Sequence, residues 1–231
     1  MPPVWKRPLM FVSDDYLEMV REKRTLPVDS PPLRLFRWDF LEKFTHTPVQ
    51  VVPLVWLPVA AAFAVKGLVN WPATCAWQWF PLMMALGFAV VWTLTEYVVH
   101  RHFFHGKVRW RWQEEFMFLI HGIHHVQPHT STRLVSPLTF SIPVASLFFL
   151  VFKAIFQGIG QLHLAYPFMS GFVLGYITYD VIHWTLHHVP VKHPWLKRLR
   201  RHHLEHHFKD STNKFGVSTE AWDHVFGTTG A

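Results

Sequence analysis

Histidine recurs in four short clusters of this chain, at spacings that metal ions can use. "HRHFFH" supplies His100, His102 and His105, and "HGIHH" supplies His121, His124 and His125. "HWTLHH" supplies His183, His187 and His188, and "RHHLEHH" supplies His202, His203, His206 and His207. Residues at i,i+3 or i,i+4 share one helix face a turn apart, so one helix can offer two ligands to one ion. The form H-x-x-H-H occurs twice and can turn two imidazoles toward one ion and the third toward a neighbour. Taken together, the spacings H-x4-H, H-x2-H-H, H-x3-H and H-x2-H-H suit two ions with about five ligands each. The single cysteine, Cys75, excludes a Cys-based zinc or iron–sulfur site and an intramolecular disulfide framework. Imidazole suits iron, zinc, copper or nickel. Five other histidines (His46, His129, His163, His193 and His224) have no paired spacing and read as non-ligands. His102, His188 and His202 sit beside better-placed neighbours and read as supporting or surface groups.

The elements that must position these clusters are apolar. Half of the 231 residues are hydrophobic and only 16% are charged, below the roughly 25% usual for a soluble domain. Four apolar stretches, at about 51–69, 77–99, 134–156 and 162–182, each approach the ~20 residues that a helix needs to cross a bilayer. Pro53, Pro58, Pro81, Pro143 and Pro167 fall inside them and predict kinks, which neighbouring helices tolerate in a membrane. The connections 70–76 and 157–161 are short, so the stretches pair into two hairpins. Residues 1–50, 100–133 and 183–231 then share one side and hold 20 of the 22 Lys and Arg. Lys66 and Lys153 lie within the apolar spans, where long side chains snorkel. The positive-inside rule places the histidine clusters and both termini in the cytosol. The net charge of +7 therefore reads as a membrane-side signal, and no nucleic-acid-binding motif is present. The first residues show no continuous apolar run with a cleavage site, so no cleaved signal peptide is expected. "WKRPLMF" and "LRLFRWDFLEKF" look interfacial. The expected fold is an all-α membrane protein: an N-terminal segment, 1–50, then a membrane-embedded domain, 51–231, with four transmembrane helices and a cytosolic helical cap around a dimetal site. Two ions at one membrane face suggest oxygen activation. A metal carrier would instead place its ligands along a path across the bilayer.

Beyond spacing, "EYVVHRHFFH" (96–105), "LIHGIHHVQP" (119–128), "GYITYDVIHWTLHH" (175–188), "HLEHH" (203–207) and "FGVSTEAWDHVFGT" (215–228) resemble the fatty acid hydroxylase superfamily, most closely its fatty acid 2-hydroxylases of sphingolipid metabolism. The likeness runs from about residue 30 to 229. It implies a non-haem di-iron monooxygenase with ligands His100, His105, His121, His124, His125, His183, His187, His203, His206 and His207. Family similarity divides them into His100, His105, His121, His125 and His206 on one ion and His124, His183, His187, His203 and His207 on the other. It further implies that hydrogen is abstracted at C2 of a long acyl chain, free or in ceramide, and replaced by hydroxyl, at the endoplasmic reticulum membrane. Glu96 and Asp180 are candidates to orient imidazoles from behind, while Glu205 reads as a solvated or supporting residue. Many members carry a cytochrome b5 domain. Fifty leading residues without a His-Pro-Gly-Gly motif are too few for one, so electrons are expected from a separate cytochrome b5 and its reductase. Iron is expected in the active enzyme, with zinc possible in a purified sample. Trp92, Phe116, Phe118, Tyr176, Tyr179 and Trp184 are candidates for an apolar substrate channel, with packing the commoner role for each. A sterol or carotenoid oxidase or desaturase of the same superfamily, or a non-catalytic metal-binding membrane protein, are the competing readings.

Overall fold

A computed structural model describes residues 14–22, 24–36 and 38–230. The "WKRPLMF" stretch lies outside them. Among the described residues the regular structure is entirely helical: α1 (Asp14–Arg21), α2 (Asp39–Lys43), α3 (Val51–Val69), α4 (Trp79–Phe104), α5 (111–126), α6 (Leu138–Gly158), α7 (Leu162–His188), α8 (Pro194–Phe208) and α9 (Ala221–Val225).

Three of these, α3, α4 and α6, are long and apolar enough to cross a membrane. The fourth expected span is a helix too, but it is less apolar than these three, because Tyr166, Tyr176, Tyr179, Asp180 and several histidines interrupt it. The physical reason lies in its position. α7 is the central helix, with α3, α4 and α6 packed on it, and most of its stretch from Ala165 to Ile177 is buried. A helix sheathed by others meets little lipid and is free to be polar. α6 is the opposite case: Leu147 and Leu150 are 61% and 60% exposed on an outward apolar face.

Element ends also move from expectation. α4 continues to Phe104 and α7 to His188, so both carry histidines beyond the apolar stretch. α6 begins at Leu138 rather than 134, because Pro137 holds extended backbone at the helix start and disfavours helix in the residue before it. Pro53 and Pro81 lie in first turns, where the missing N–H costs nothing, whereas Pro58, Pro143 and Pro167 lie within helices.

α4 and α7 approach closely through small residues. A Cβ on Gly171 would lie 1.9 Å from the Met84 carbonyl oxygen, and one on Gly87 would lie 2.2 Å from that of Phe168. Backbone contact of this kind needs glycine on both sides. The N-terminal segment folds onto the second histidine cluster and the chain on either side of it. Leu17 and Leu35 pack with Phe118, Ile123 and Val126. Buried Arg133 bonds Glu42 and the Leu33 carbonyl, and Glu42 accepts from the Leu35 and Phe36 amides at 3.0 and 2.7 Å. Trp38, Phe40 and Phe44 remain exposed, as an interfacial segment requires.

Candidate metal centre

Four helix ends converge at the base of the bundle: the last turns of α4, α5 and α7, and the second half of α8. Two of them are locally widened. Val99–Phe104 and Phe118–Gly122 are π-helical. In the first, the His105 amide bonds the His100 carbonyl at 3.1 Å, which sets residues five apart on one face. That explains H-x4-H, a spacing no α-helical turn accommodates. α8 starts cleanly, with Pro194 at its first position and His193 accepting from the Trp195 amide at 3.3 Å. Its buried face then carries His202, His203, His206 and His207.

The ten histidines gather into two groups of five: His100, His105, His121, His125 and His206, then His124, His183, His187, His203 and His207. Within each group the facing ring nitrogens lie within 4.8 Å of one another. In the first, the Nε2 atom of His121 lies 3.2, 3.1 and 2.9 Å from those of His100, His105 and His125, and His206 lies 3.1 Å from His105. In the second, His183 meets His124 at 3.0 Å and His187 meets His203 at 2.8 Å. The groups adjoin where the rings of His125 and His207 stack at 4.2 Å.

Proton bookkeeping shows what these groups fit. The Nδ1–H of His100 donates to the Phe215 carbonyl at 2.5 Å, and that of His206 to the Asn213 carbonyl at 2.7 Å. Their Nε2 atoms are therefore bare lone pairs, yet both point at other imidazole nitrogens. Lone pairs facing inward repel one another unless a cation lies among them. Burial, reinforced by neighbouring imidazoles, also lowers the proton affinity of His121, His124, His125, His203 and His207 well below the ordinary value. Burial chiefly, together with His100, lowers that of His206 to about 3. Neutral imidazole is the ligating form. The residues fit metal ions on geometry and protonation alike.

A C-terminal strap, residues 213–228, supplies the outer support. Glu96 is buried and accepts from the Val217 and Ser218 amides at 2.6 and 2.8 Å, and from the Ser218 hydroxyl. It touches no imidazole; it fixes the loop whose Phe215 carbonyl orients His100. Asp223 is fully buried and accepts from the Phe215 and Gly216 amides, both at 2.8 Å, from Thr228 at 2.7 Å and from His202 at 3.0 Å. Burial alone would raise its proton affinity. The donors from His202, Thr228, Gly216 and Phe215 outweigh this and hold the carboxyl below its ordinary value. His202 is thus a buried tie between α8 and the strap, outside both groups. Sequence reading missed Asp223 altogether. Its signal in the sequence is only its place in the motif "FGVSTEAWDHVFGT", which Glu220 shares.

The remaining candidates are scattered. Asp180 is buried beside Tyr176, with Oδ2 unpartnered, and no hydrogen bond among the described residues joins it to a histidine. Glu205 pairs with Lys214 at 3.4 Å. His102 is exposed, and His188 packs on Trp184. The unpaired histidines all lie outside the two groups: His46 bonds Thr132, and His163 meets Trp71 edge-on, for example.

Between α3, α4, α6 and α7 lies an apolar cavity of about 110 Å³. Of the six aromatic candidates, Trp92, Tyr176 and Tyr179 line it, while Phe116, Phe118 and Trp184 do not. Two lining residues contact the histidines. Phe104 stacks on His121 of the first group at 4.6 Å, and Tyr179 lies 5.6 Å from His183 of the second. One layer of side chains, Phe104 and Tyr179, therefore separates the cavity from both groups.

Comparison with known proteins agrees with this geometry. The profile of the fatty acid hydroxylase family matches residues 84–228. The dihydroceramide fatty acyl 2-hydroxylase FAH1 of Arabidopsis thaliana is 35% identical, over 96% of this chain and 91% of its own. The ceramide very long chain fatty acid hydroxylase SCS7 of Saccharomyces cerevisiae is 36% identical, over 94% of this chain and 54% of its own. The human fatty acid 2-hydroxylase is 31% identical, over 97% and 63%. A solved structure of full-length Scs7p, in which only the hydroxylase domain is visible, superposes with a TM-score of 0.83 at 32% identity, covering 98% of this chain and 86% of that one.

Proposed function

This chain belongs to the fatty acid hydroxylase family, and from that premise we propose that it hydroxylates long-chain fatty acyl groups at C2, as free acids or within ceramide. The observation that carries the reading is the pair of converging imidazole groups, one layer of aromatic side chains away from an apolar cavity. His100, His105, His121, His125 and His206 would hold one metal ion, and His124, His183, His187, His203 and His207 a second. When bound, with iron as the active metal and zinc a possible occupant after purification, the ions supply activation of O₂ with two electrons and two protons, one oxygen atom entering the product and the other leaving as water.

The chain's own residues do the positioning. The strap carbonyls of Asn213 and Phe215 hold Nδ1 protons, so that Nε2 presents its lone pair inward. Trp92, Phe148 and Phe172 wall the cavity, take the acyl chain and keep water out. Phe104 and Tyr179 guide the reacting end toward the histidines. Asp180, buried near Tyr176 and the Ser136 backbone and bonded to no histidine, would act on the cavity wall at Tyr176 and not on an imidazole. Electrons come from a separate cytochrome b5 and its reductase. The bundle sits in the endoplasmic reticulum membrane as a multi-pass protein, with the histidines and termini cytosolic.

Lipid mass spectrometry tests this. The chain is expressed in a host lacking its own 2-hydroxylase, beside His206→Ala and His207→Ala. 2-Hydroxy acyl sphingolipids should appear only with the intact chain. If the protein is folded, iron-loaded and supplied with cytochrome b5 yet none appear, C2 hydroxylation is wrong. Oxidised sterols or carotenoids in the same extracts would then identify the substrate.

A further inference from the structure

The outward face of α8 has no role in the site, yet it lies directly behind it. The helix divides its two faces sharply. Leu199, His202, His203, His206 and His207 are buried, while Lys197, Arg201, Leu204 and Phe208 follow at helical spacing along the opposite side. With Arg200 and Lys209 they form a shallow groove of about 510 Å³. Phe208 is 53% exposed at its edge. The one acid in the groove, Glu205, is engaged by Lys214. Lys197, Arg201 and Lys209 have no ion-pair partner among the described residues.

We propose that this groove is the docking surface for a small acidic one-electron carrier protein. The proposal rests on the hydroxylase reading, whose chemistry consumes electrons. Replacing C–H by C–OH with O₂ releases one water and takes up two protons and two electrons, delivered by two oxidations of the reduced carrier. The back of α8 brings a carrier within about one helix diameter, about 10 Å, of both groups, since the opposite side of that helix bears His203, His206 and His207. The groove has the composition of a transient protein contact: apolar and aromatic side chains, Leu204 and Phe208, among cations. Cations without partners favour an acidic surface and speed its encounter. An anionic lipid surface would meet the same charges but cannot deliver electrons.

The test uses the full-length protein in detergent, with the soluble haem domain of cytochrome b5 as the probe. Lys197→Glu/Arg201→Glu is compared with wild type and with Lys107→Glu, an exposed control in the α4–α5 connection, outside the groove. Binding is measured against rising salt, and turnover is driven either by the reduced haem domain or by dithionite. The double variant should bind the haem domain about tenfold more weakly and raise its KM by a similar factor, with dithionite-driven turnover unchanged. Lys107→Glu should change neither. Equal binding and equal KM in the double variant overturn the proposal. So does loss of binding to phosphatidylserine vesicles with an unchanged KM for the haem domain, which assigns the patch to lipid. If wild type makes no product with dithionite, the hydroxylase reading fails, and the binding arm still decides docking on its own.

Discussion

At the scale of single residues, the separation between histidines that gather and histidines that tie is the informative feature. His206 and His202 are four apart on α8 and both are buried, yet one faces four imidazoles and the other a carboxylate. His206→Ala should therefore lower bound metal toward one ion per chain by elemental analysis. His202→Phe should keep both ions but destabilise the protein by about 1–3 kcal/mol, because Asp223 loses a buried donor. Equal metal loss in both variants would contradict the division. Acid should act through the same imidazoles. Their proton affinity is depressed in the fold, to about 3 for His206, whereas the unfolded chain takes up protons below about 6.5. Below that pH the unfolded state binds more protons than the native one, so native stability is full above it and drains away as pH falls toward about 3. Thermal melts of chelator-treated protein across this window should show a falling midpoint; a flat profile would mean the imidazoles are not buried neutral.

The elements explain why the spacing works. π-Turns in α4 and α5 widen the helix where His100, His105 and His121 stand, and the strap holds the rings in orientation. The α4–α7 crossing sets how far apart these helix ends are. Gly171→Ala forces a methyl group into the Met84 backbone and should cost about 1–3 kcal/mol, through overpacking that helices must move apart to relieve. Gly158→Ala, with nothing within 4 Å, should be close to neutral. Denaturation of both variants in detergent checks the contrast.

For the whole molecule, topology is the property to test, and the chain has its own reporter. Cys75 is the single cysteine and lies half-buried in the α3–α4 connection, at the end of the bundle away from the histidines. In sealed microsomes a membrane-impermeant maleimide should reach Cys75 only after permeabilisation. A cysteine placed at Ser211, in a Cys75→Ser background, should react at once. The reverse pattern would invert the proposed orientation.

Sequence by itself determined the histidine clusters and the apolar helices that carry them. Clustered imidazole without thiol, at the ends of apolar stretches, marks a candidate metal site there, because composition and periodicity are local properties. The division of the ligands came from family resemblance, and the structure groups the same ten residues. What only the tertiary structure decided is non-local. α7 is polar because three helices shield it, which no window along the chain reveals. His202 and Asp223 are 21 residues apart, and Glu96 is 121 residues from the Val217 amide it accepts from. Such partners are chosen by how the helices pack, and burial then makes each bond obligatory, since a polar group removed from water must find its partner within the fold.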